Sequence, residues 1–364
     1  MSKARGLADL GNVYDDGALS NRNLIINSAM QVAQRGTSFS PPSNGAYVVD
    51  RFHQYQGGGG VLYYEQSTDA PSGFINSLKV TVNTADSSIA SGDYYYMRYE
   101  AEGLDCSRLS LGTSDAQEFT FSFYVKSSLT GTFSGAFQNA AVNRSYVFEY
   151  TINSANTWER KTVTISGDTS GTWLINNSVG LRVAFDLGNG SSVRSSSGSW
   201  AAAGNYGSSG SVELIGTASA TWQITGVQLE VGDTATPFEH PRSYSDELAR
   251  CQRYFERRGT DVANWEFISD AGQLTSATNY QCAVRFNEQM RAPPTMSVTG
   301  TVSNLKVIRA SVVINVTGIT ASDNANGRTL LLYGTCASSG GAAGEQTRMQ
   351  TAVPGTWVNF DAEL

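Results

Sequence analysis

Histidine is nearly missing from this 364-residue chain, which has only His53 and His240. The four cysteines (Cys106, Cys251, Cys282 and Cys336) stand singly, with no CxxC. Together these scarcities exclude a Cys/His zinc cluster. Without an export signal the cysteines are expected as free thiols. Charge is thin as well. Asp, Glu, Lys and Arg make up 16% of residues, against roughly a quarter in an ordinary domain. The balance is acidic, with 25 Lys and Arg against 32 Asp and Glu, a net charge of −7. That argues against a general nucleic-acid binder, and the one basic cluster, Arg253-Tyr-Phe-Glu-Arg-Arg258, falls in an expected helix.

No apolar run reaches the 18 residues or so of a membrane helix, so no membrane insertion is expected. The opening MSKARGLADLGNVYDDG lacks the apolar core of a signal peptide. A chain made and kept in a cytoplasm, or leaving it by lysis, is therefore expected. Catalytic fingerprints are missing too. There is no GxSxG, and Gly57–Gly60 is not followed by Lys-Ser/Thr. Asp69, Asp86, Asp93 and Asp105 are scattered near turns, with no recognisable pair such as a glycosidase needs. Asp50 and Arg51 beside His53 offer either a site or a surface ion pair at a strand end. No cofactor is implied, and no enzyme is expected.

What is present is β-structure. Hydrophobic residues reach 40%, aromatics 10%, and 37 glycines supply turns. Strands are expected at Leu24–Ile26, Val61–Gln66, Ser77–Asn83, Tyr94–Glu100, Glu118–Lys126, Tyr146–Ile152, Glu159–Ile165, Val179–Leu187 and Trp222–Val231. Their spacing predicts an all-β fold, a β-sandwich of jelly-roll type. FTFSFYVK is the clearest strand, with Phe119, Phe121, Phe123 and Val125 on one face and Thr120, Ser122 and Tyr124 on the other.

The run Thr221–Arg258 closes this domain. It begins as a strand with an expected bulge at Gly226 and passes Gly232, Pro237 and Pro241. It ends as a short helix, Tyr244–Arg258, with Ser243 as N-cap and Asp246 at the third helical position. Tyr244, Leu248, Cys251 and Phe255 share one helical face. Further strands are expected near Gln281–Phe286, Thr295–Val302, Lys306–Ile314, Thr329–Tyr333, Gln346–Ala352 and Val358–Ala362. The division is thus an N-terminal arm (1–21), a sandwich (22–240), a connecting helix (241–260) and a smaller C-terminal β-domain (261–364).

Three segments carry a resemblance. Asn23–Phe52, opening NLIINSAMQVAQRGTSFS, the central QLEVGDTATPFEHPRSYSDELARCQRYFE and the closing Trp357–Leu364 occur in the order found in bacteriophage tail-fibre and related virion proteins, and each resembles its counterpart there. That resemblance implies a virion location, a homotrimer, and a role in host adsorption through surface polysaccharide. It also implies attachment to a tail, baseplate or other virion protein through the arm. A capsid-bound head fibre is the alternative, and a polysaccharide depolymerase a further one, though the parallel β-helix periodicity of tailspike enzymes is missing.

Asn23–Asn27 and Ile224–Glu230 also resemble the first and last strands of galactose-binding-like carbohydrate-binding modules. There, acidic residues often hold a structural calcium. Gln31 and Thr225 occupy the corresponding positions here and lack the charge a hard cation needs, so the fold is carried over and the metal is not. Sugar binding in such modules uses exposed rings flanked by polar side chains. Two sets qualify: Tyr94, Tyr96 and Arg98 on one face of a strand, and Trp200 and Tyr206 in the low-complexity loop Gly188–Gly210. Either face of Tyr94–Tyr99 could be core, with Tyr95, Met97 and Tyr99 opposite. The seam Tyr244, Leu248, Cys251 and Phe255 either covers one end of the sandwich or packs at a three-fold axis.

Overall fold

A computed structural model of the chain describes residues 22–263, 265–269, 271–322 and 327–364. The expected arm, residues 1–21, lies outside them. The chain forms two compact units that divide between Tyr244 and Ser245.

The first unit is a jelly-roll-like β-sandwich. One sheet has six strands, in the order β1 (Ser38–Phe39), β4 (Val61–Ser67), β5 (Ser77–Thr84), β15 (Thr221–Val231), β7 (Phe119–Ser127), β10 (Glu159–Ile165). The other has seven: β13 (Trp200–Ala201), β9 (Ser145–Ile152), β8 (Gly131–Gln138), β11 (Val179–Asp186), β6 (Tyr94–Glu102), β3 (Phe52–Gly57), β2 (Tyr47–Val49). A short parallel pair, β12 (Arg194–Ser195) and β14 (Gly207–Ser208), lies within the Gly188–Gly210 segment.

Period-two alternation builds the core. Phe119, Phe121, Phe123 and Val125 of β7 are fully buried, and their rings meet Phe137, Phe148 and Phe185 of the opposite sheet at centroid distances of 5.2–5.6 Å. Trp222 of β15, also fully buried, packs on Phe185 and donates from Nε1 to the Tyr150 hydroxyl at 3.1 Å. A buried indole needs such a partner. The bulge expected in β15 is present. The register shifts between Thr225 and Gln228, and Gly226 takes φ +60°, a conformation costly for any residue with a Cβ.

Two readings of this unit need correction. Leu24–Ile26 is buried but is not a regular strand. The segment follows β15 through Leu24 N to Leu229 O and Val227 N to Ser28 O, and Asn27 and Met30, both at φ +56°, break the extended run a ladder needs. Conversely, the alternation test passes over β3 and β8. In β8 (GTFSGAFQ) glycines interrupt the apolar face, and in β3 (FHQYQG) half-polar aromatics obscure it.

The second unit opens with the helix Tyr244–Gln252 and continues as β16 (Phe255–Thr260), β17 (Glu266–Phe267), β18 (Ala271–Leu274), β19 (Asn279–Arg285), β20 (Thr295–Thr299), β21 (Leu305–Arg309), β22 (Val312–Ala321), β23 (Thr329–Cys336), β24 (Gln346–Thr351) and β25 (Thr356–Asp361). Strands β24, β18, β19, β23, β22 and β21 pair in that order, and β21 pairs back to β24, so the sheet closes into a barrel. Tyr280, Cys282, Val284, Leu332, Val307, Val316 and Met349 fill it. A three-stranded sheet, β16-β25-β20, completes the unit.

The helix is shorter than its sequence pattern suggests. It stops at Gln252, and Phe255-Glu-Arg-Arg-Gly-Thr260 pairs along its whole length with β25. Long-range pairing overrides a weak helical stripe here. Phe255 therefore leaves the helical seam for a strand, where it is buried. Cys251 is buried, Leu248 is half-buried, and Tyr244 is well exposed, at 54%. The expected single strand Lys306–Ile314 is a hairpin of β21 and β22, turning at Ala310 with φ +48°.

Candidate functional site

Strand β6 settles which Tyr face is core. Tyr95, Met97 and Tyr99 are each at most 1% exposed and join the sandwich interior. Tyr94, Tyr96 and Arg98 point the other way, onto the outward face of the seven-stranded sheet. That face is wet only in part: Tyr94 is half-buried, while Tyr96 and Arg98 are covered to 6% and 8% exposure.

The neighbours across the ladder explain the cover. Tyr55 lies opposite Tyr96, and His53 opposite Arg98, on β3. Ala184 lies opposite Arg98, and Arg182 opposite Glu100, on β11. Rings then run along the face in a row. Tyr47 stacks on His53 at 4.6 Å, His53 meets Tyr55 edge-on at 5.2 Å, and Tyr55 stacks on Tyr96 at 5.0 Å. Tyr206 packs on Tyr96 at 4.4 Å. The Arg98 guanidinium sits 4.4 Å over Tyr55, a cation–π contact, and its Nη2 donates to the Tyr55 hydroxyl at 2.7 Å. Burial raises the phenols of Tyr55 and Tyr96, which stay neutral hydroxyls.

The loop residues expected to bind sugar part company. Tyr206 reaches the face because Gly188–Gly210 folds back across it. Asp186 of β11, fully buried, anchors the segment: it accepts from the backbone N–H groups of Gly188 and Asn189 at 2.8 Å, from Ser211 Oγ at 3.0 Å and from Arg194 Nε at 3.0 Å. Gly207 passes so close to Asp186 that a Cβ would lie 2.0 Å from its Oδ2. Trp200, by contrast, extends the edge of the sheet opposite Tyr146. It packs on Tyr146 and Trp173 at 5.4 Å each, and its Nε1 donates to the Ser166 carbonyl at 2.7 Å. Tyr94, Tyr96, Arg98 and Tyr206 thus come together, and Trp200 belongs to a separate aromatic corner.

Sequence reasoning missed Tyr47, Tyr55, Glu100 and Arg182. The signal for Tyr55 was there, since HQYQ alternates as DYYYMR does, but nothing in the sequence says that the two strands are neighbours.

Beneath the rings is a charged floor. Glu100 Oε1 accepts from Arg182 Nε at 2.5 Å and lies 3.3 Å from Arg98 Nη2. His53 Nε2 accepts from Arg98 Nε at 3.2 Å. Burial first, and then the guanidinium groups of Arg98, Arg51, Arg182 and Arg35, hold His53 well below its ordinary value and therefore neutral. Asp50, Arg51 and His53 are each at most 2% exposed, so the surface ion pair expected there is instead an interior cluster.

The scattered acids serve turns. Asp86 accepts from the Tyr95 hydroxyl at 2.9 Å and from Ser88 N, and the Tyr95 bond heads the causes that lower its pKa. Asp69 is lowered first by Lys126 and also accepts from Trp158 Nε1 at 3.2 Å. Thr225, one position weighed for calcium, is fully buried, and Gln31 offers its carbonyl to Gln66 Nε2 at 3.0 Å. Among the described residues no group of three or more His, Cys, Asp or Glu side chains is placed to hold a metal.

No family model and no curated protein matches this chain. Solved structures match it at low similarity. The enzymatically active domain of bacteriophage CBA120 tailspike protein 4 matches with a TM-score of 0.31 and 14% identity over 57% of this chain, which spans only 21% of that one. A family 11 carbohydrate-binding module from Clostridium thermocellum, in complex with a β-1,3-1,4-mixed-linked tetrasaccharide, matches at 0.29 and 11% over 55% of this chain and 97% of the module. TmCBM61, in complex with β-1,4-galactotriose, matches at 0.29 and 10% over 58% of this chain and 100% of that one. Likeness at this level identifies neither a family nor an activity.

Proposed function

We propose that this chain is a non-catalytic structural protein of a bacteriophage tail fibre, homotrimeric, attached to the virion through residues 1–21 and adsorbing to host-surface polysaccharide. The observation that carries the glycan reading is the outward face of β3, β6 and β11. There the half-exposed rings of Tyr47, Tyr55, Tyr94 and Tyr206 surround a guanidinium donor, Arg98. Flat rings with fixed hydrogen-bond donors at their edge suit a pyranose, whose faces carry C–H groups and whose rim carries hydroxyls. The fibre assignment is supported by the three ordered sequence segments. Three shallow sites on one rigid body would gain strength through effective concentration.

A depolymerase needs one carboxyl held protonated at working pH beside an ionised one. Asp69 and Asp86 are displaced the other way, toward the ionised form, and Asp50, which burial raises, is sealed at 1% exposure against Gln34 and Arg35.

The test is retention of the purified chain on immobilised bacterial surface polysaccharides, with Tyr55→Ala/Tyr206→Ala compared at equal circular dichroism. Retention by the parent and loss in the variant is expected. Equal retention by both, or release of reducing ends, would overturn the reading. A solution mass near three times 38.9 kDa is expected for the assembled chain. A monomer would remove the self-assembling trimer.

A further inference from the structure

On the outward face of the seven-stranded sheet the charges beneath the rings differ in depth. Arg98 and Arg182 share a single carboxylate, Glu100. The Glu100 side chain is 3% exposed, whereas Arg98 is 10% and Arg182 15% exposed. The acid is the most deeply enclosed of the three, and Arg98, bonded to His53 and Tyr55, is less open than Arg182. Arg35 repeats the pattern beside them: 15% exposed, 4.8 Å over the Tyr47 ring and 3.8 Å from Asp50, whose side chain is 1% exposed.

Two exposed acids nearby are bonded elsewhere. Glu213, 51% exposed, pairs with Arg194, which also answers the enclosed Asp186. Glu149 is on β9, with β8 and β11 between it and β6, and takes a hydrogen bond from Ser208.

We propose that the glycan taken by this face carries a carboxylate, as in a hexuronate-containing polysaccharide, and that Arg98 and Arg182 receive it with Arg35 at the margin. This rests on the glycan reading above. A guanidinium is weakly hydrated and its planar fork matches the two oxygens of a carboxylate. A sugar acid also brings ring faces for Tyr55 and Tyr206, which a free anion does not.

The experiment titrates the full chain calorimetrically with oligogalacturonate, oligoglucuronate and oligomannuronate, each alongside its carboxyl-reduced, neutral counterpart. At least one acidic member is expected to bind about tenfold or more tightly than its counterpart. That advantage should shrink between low and high salt, because part of it is screened Coulomb attraction. Arg98→Gln should lose the preference, and Arg98→Lys should keep only part of it. Neutral counterparts binding as well as the acids, or Arg98→Gln keeping the full preference, would overturn the proposal and leave the glycan reading standing. Binding by no member of either series counts against both. The salt series on the unaltered chain gives an answer even if the Arg98 variants fold poorly.

Discussion

The two outward faces of the sandwich are both covered by the chain itself, yet their charges are settled differently. On the six-stranded sheet Lys79 lies 2.7 Å from Glu65 and Lys126 bonds to Asp69, while Arg160 bonds to Ser122 Oγ and the Thr236 carbonyl. These acids remain wet, at 44% and 47% exposure. Aromatic cover comes from Phe74, which packs on Tyr124, Phe238 and His240. On the seven-stranded sheet the cover is the Gly188–Gly210 segment, and beneath it two arginines divide one sealed carboxylate. The acids lie at different depths: half-exposed on one face, sealed on the other.

Removing one acid from each face tests that difference most strongly. Glu100→Gln leaves Arg98 and Arg182 in a protein environment without their counter-charge, and unfolding free energy should fall by about 3–5 kcal/mol. Asp69→Asn removes an equally direct bond from a half-exposed pair and should cost less than about 1 kcal/mol. Urea denaturation of both variants measures the contrast. Equal losses would mean that Glu100 is as well solvated as Asp69, and the distinction between the faces would collapse.

The depth that separates these acids was not legible in the sequence. Alternation in FTFSFYVK and DYYYMRYE is enough to say which residues share a face, and both strands form where the pattern puts them. It could not say that Tyr55 meets Tyr96 or that Arg182 meets Glu100, because those pairings join residues 41 and 82 positions apart. Ring chemistry misled in the loop for a related reason. Trp200 and Tyr206 look equivalent in a Gly/Ser-rich run, and only the Asp186 anchor, with Gly207 pressed against it, sends one over the face and the other to the edge. At the helix, the stripe through Tyr244, Leu248, Cys251 and Phe255 was real as a pattern, but pairing with β25 claimed its last member.

Those two loop rings give the next test. Trp200 fills a corner between Tyr146 and Trp173, so Trp200→Ala should cost roughly 1–3 kcal/mol of stability through lost packing and should leave glycan binding of the folded fraction unchanged. Tyr206 contributes a tilted ring contact on Tyr96, and Tyr206→Ala should cost less than about 1.5 kcal/mol while weakening glycan binding severalfold. Denaturation midpoints and polysaccharide retention on the same two proteins decide it. A Trp200→Ala protein that is stable but no longer binds would move the site from the face to the edge.

The smallest effect is read in pH. His53 is neutral in the folded chain because burial and four nearby guanidinium groups oppose its proton. In the unfolded chain it regains an ordinary value near 6.5. As pH falls through that value the unfolded state takes up a proton that the folded state refuses, so stability declines with acid, by no more than one proton's worth of slope. His53→Gln can still accept from Arg98 Nε and carries no titration. It should flatten the stability profile between about pH 7 and 5, above the range where ordinary carboxylates titrate. An unchanged slope in that variant would show that His53 takes up its proton in the folded chain as readily as in the unfolded one. The floor of the face would then be less positive than its four arginines imply.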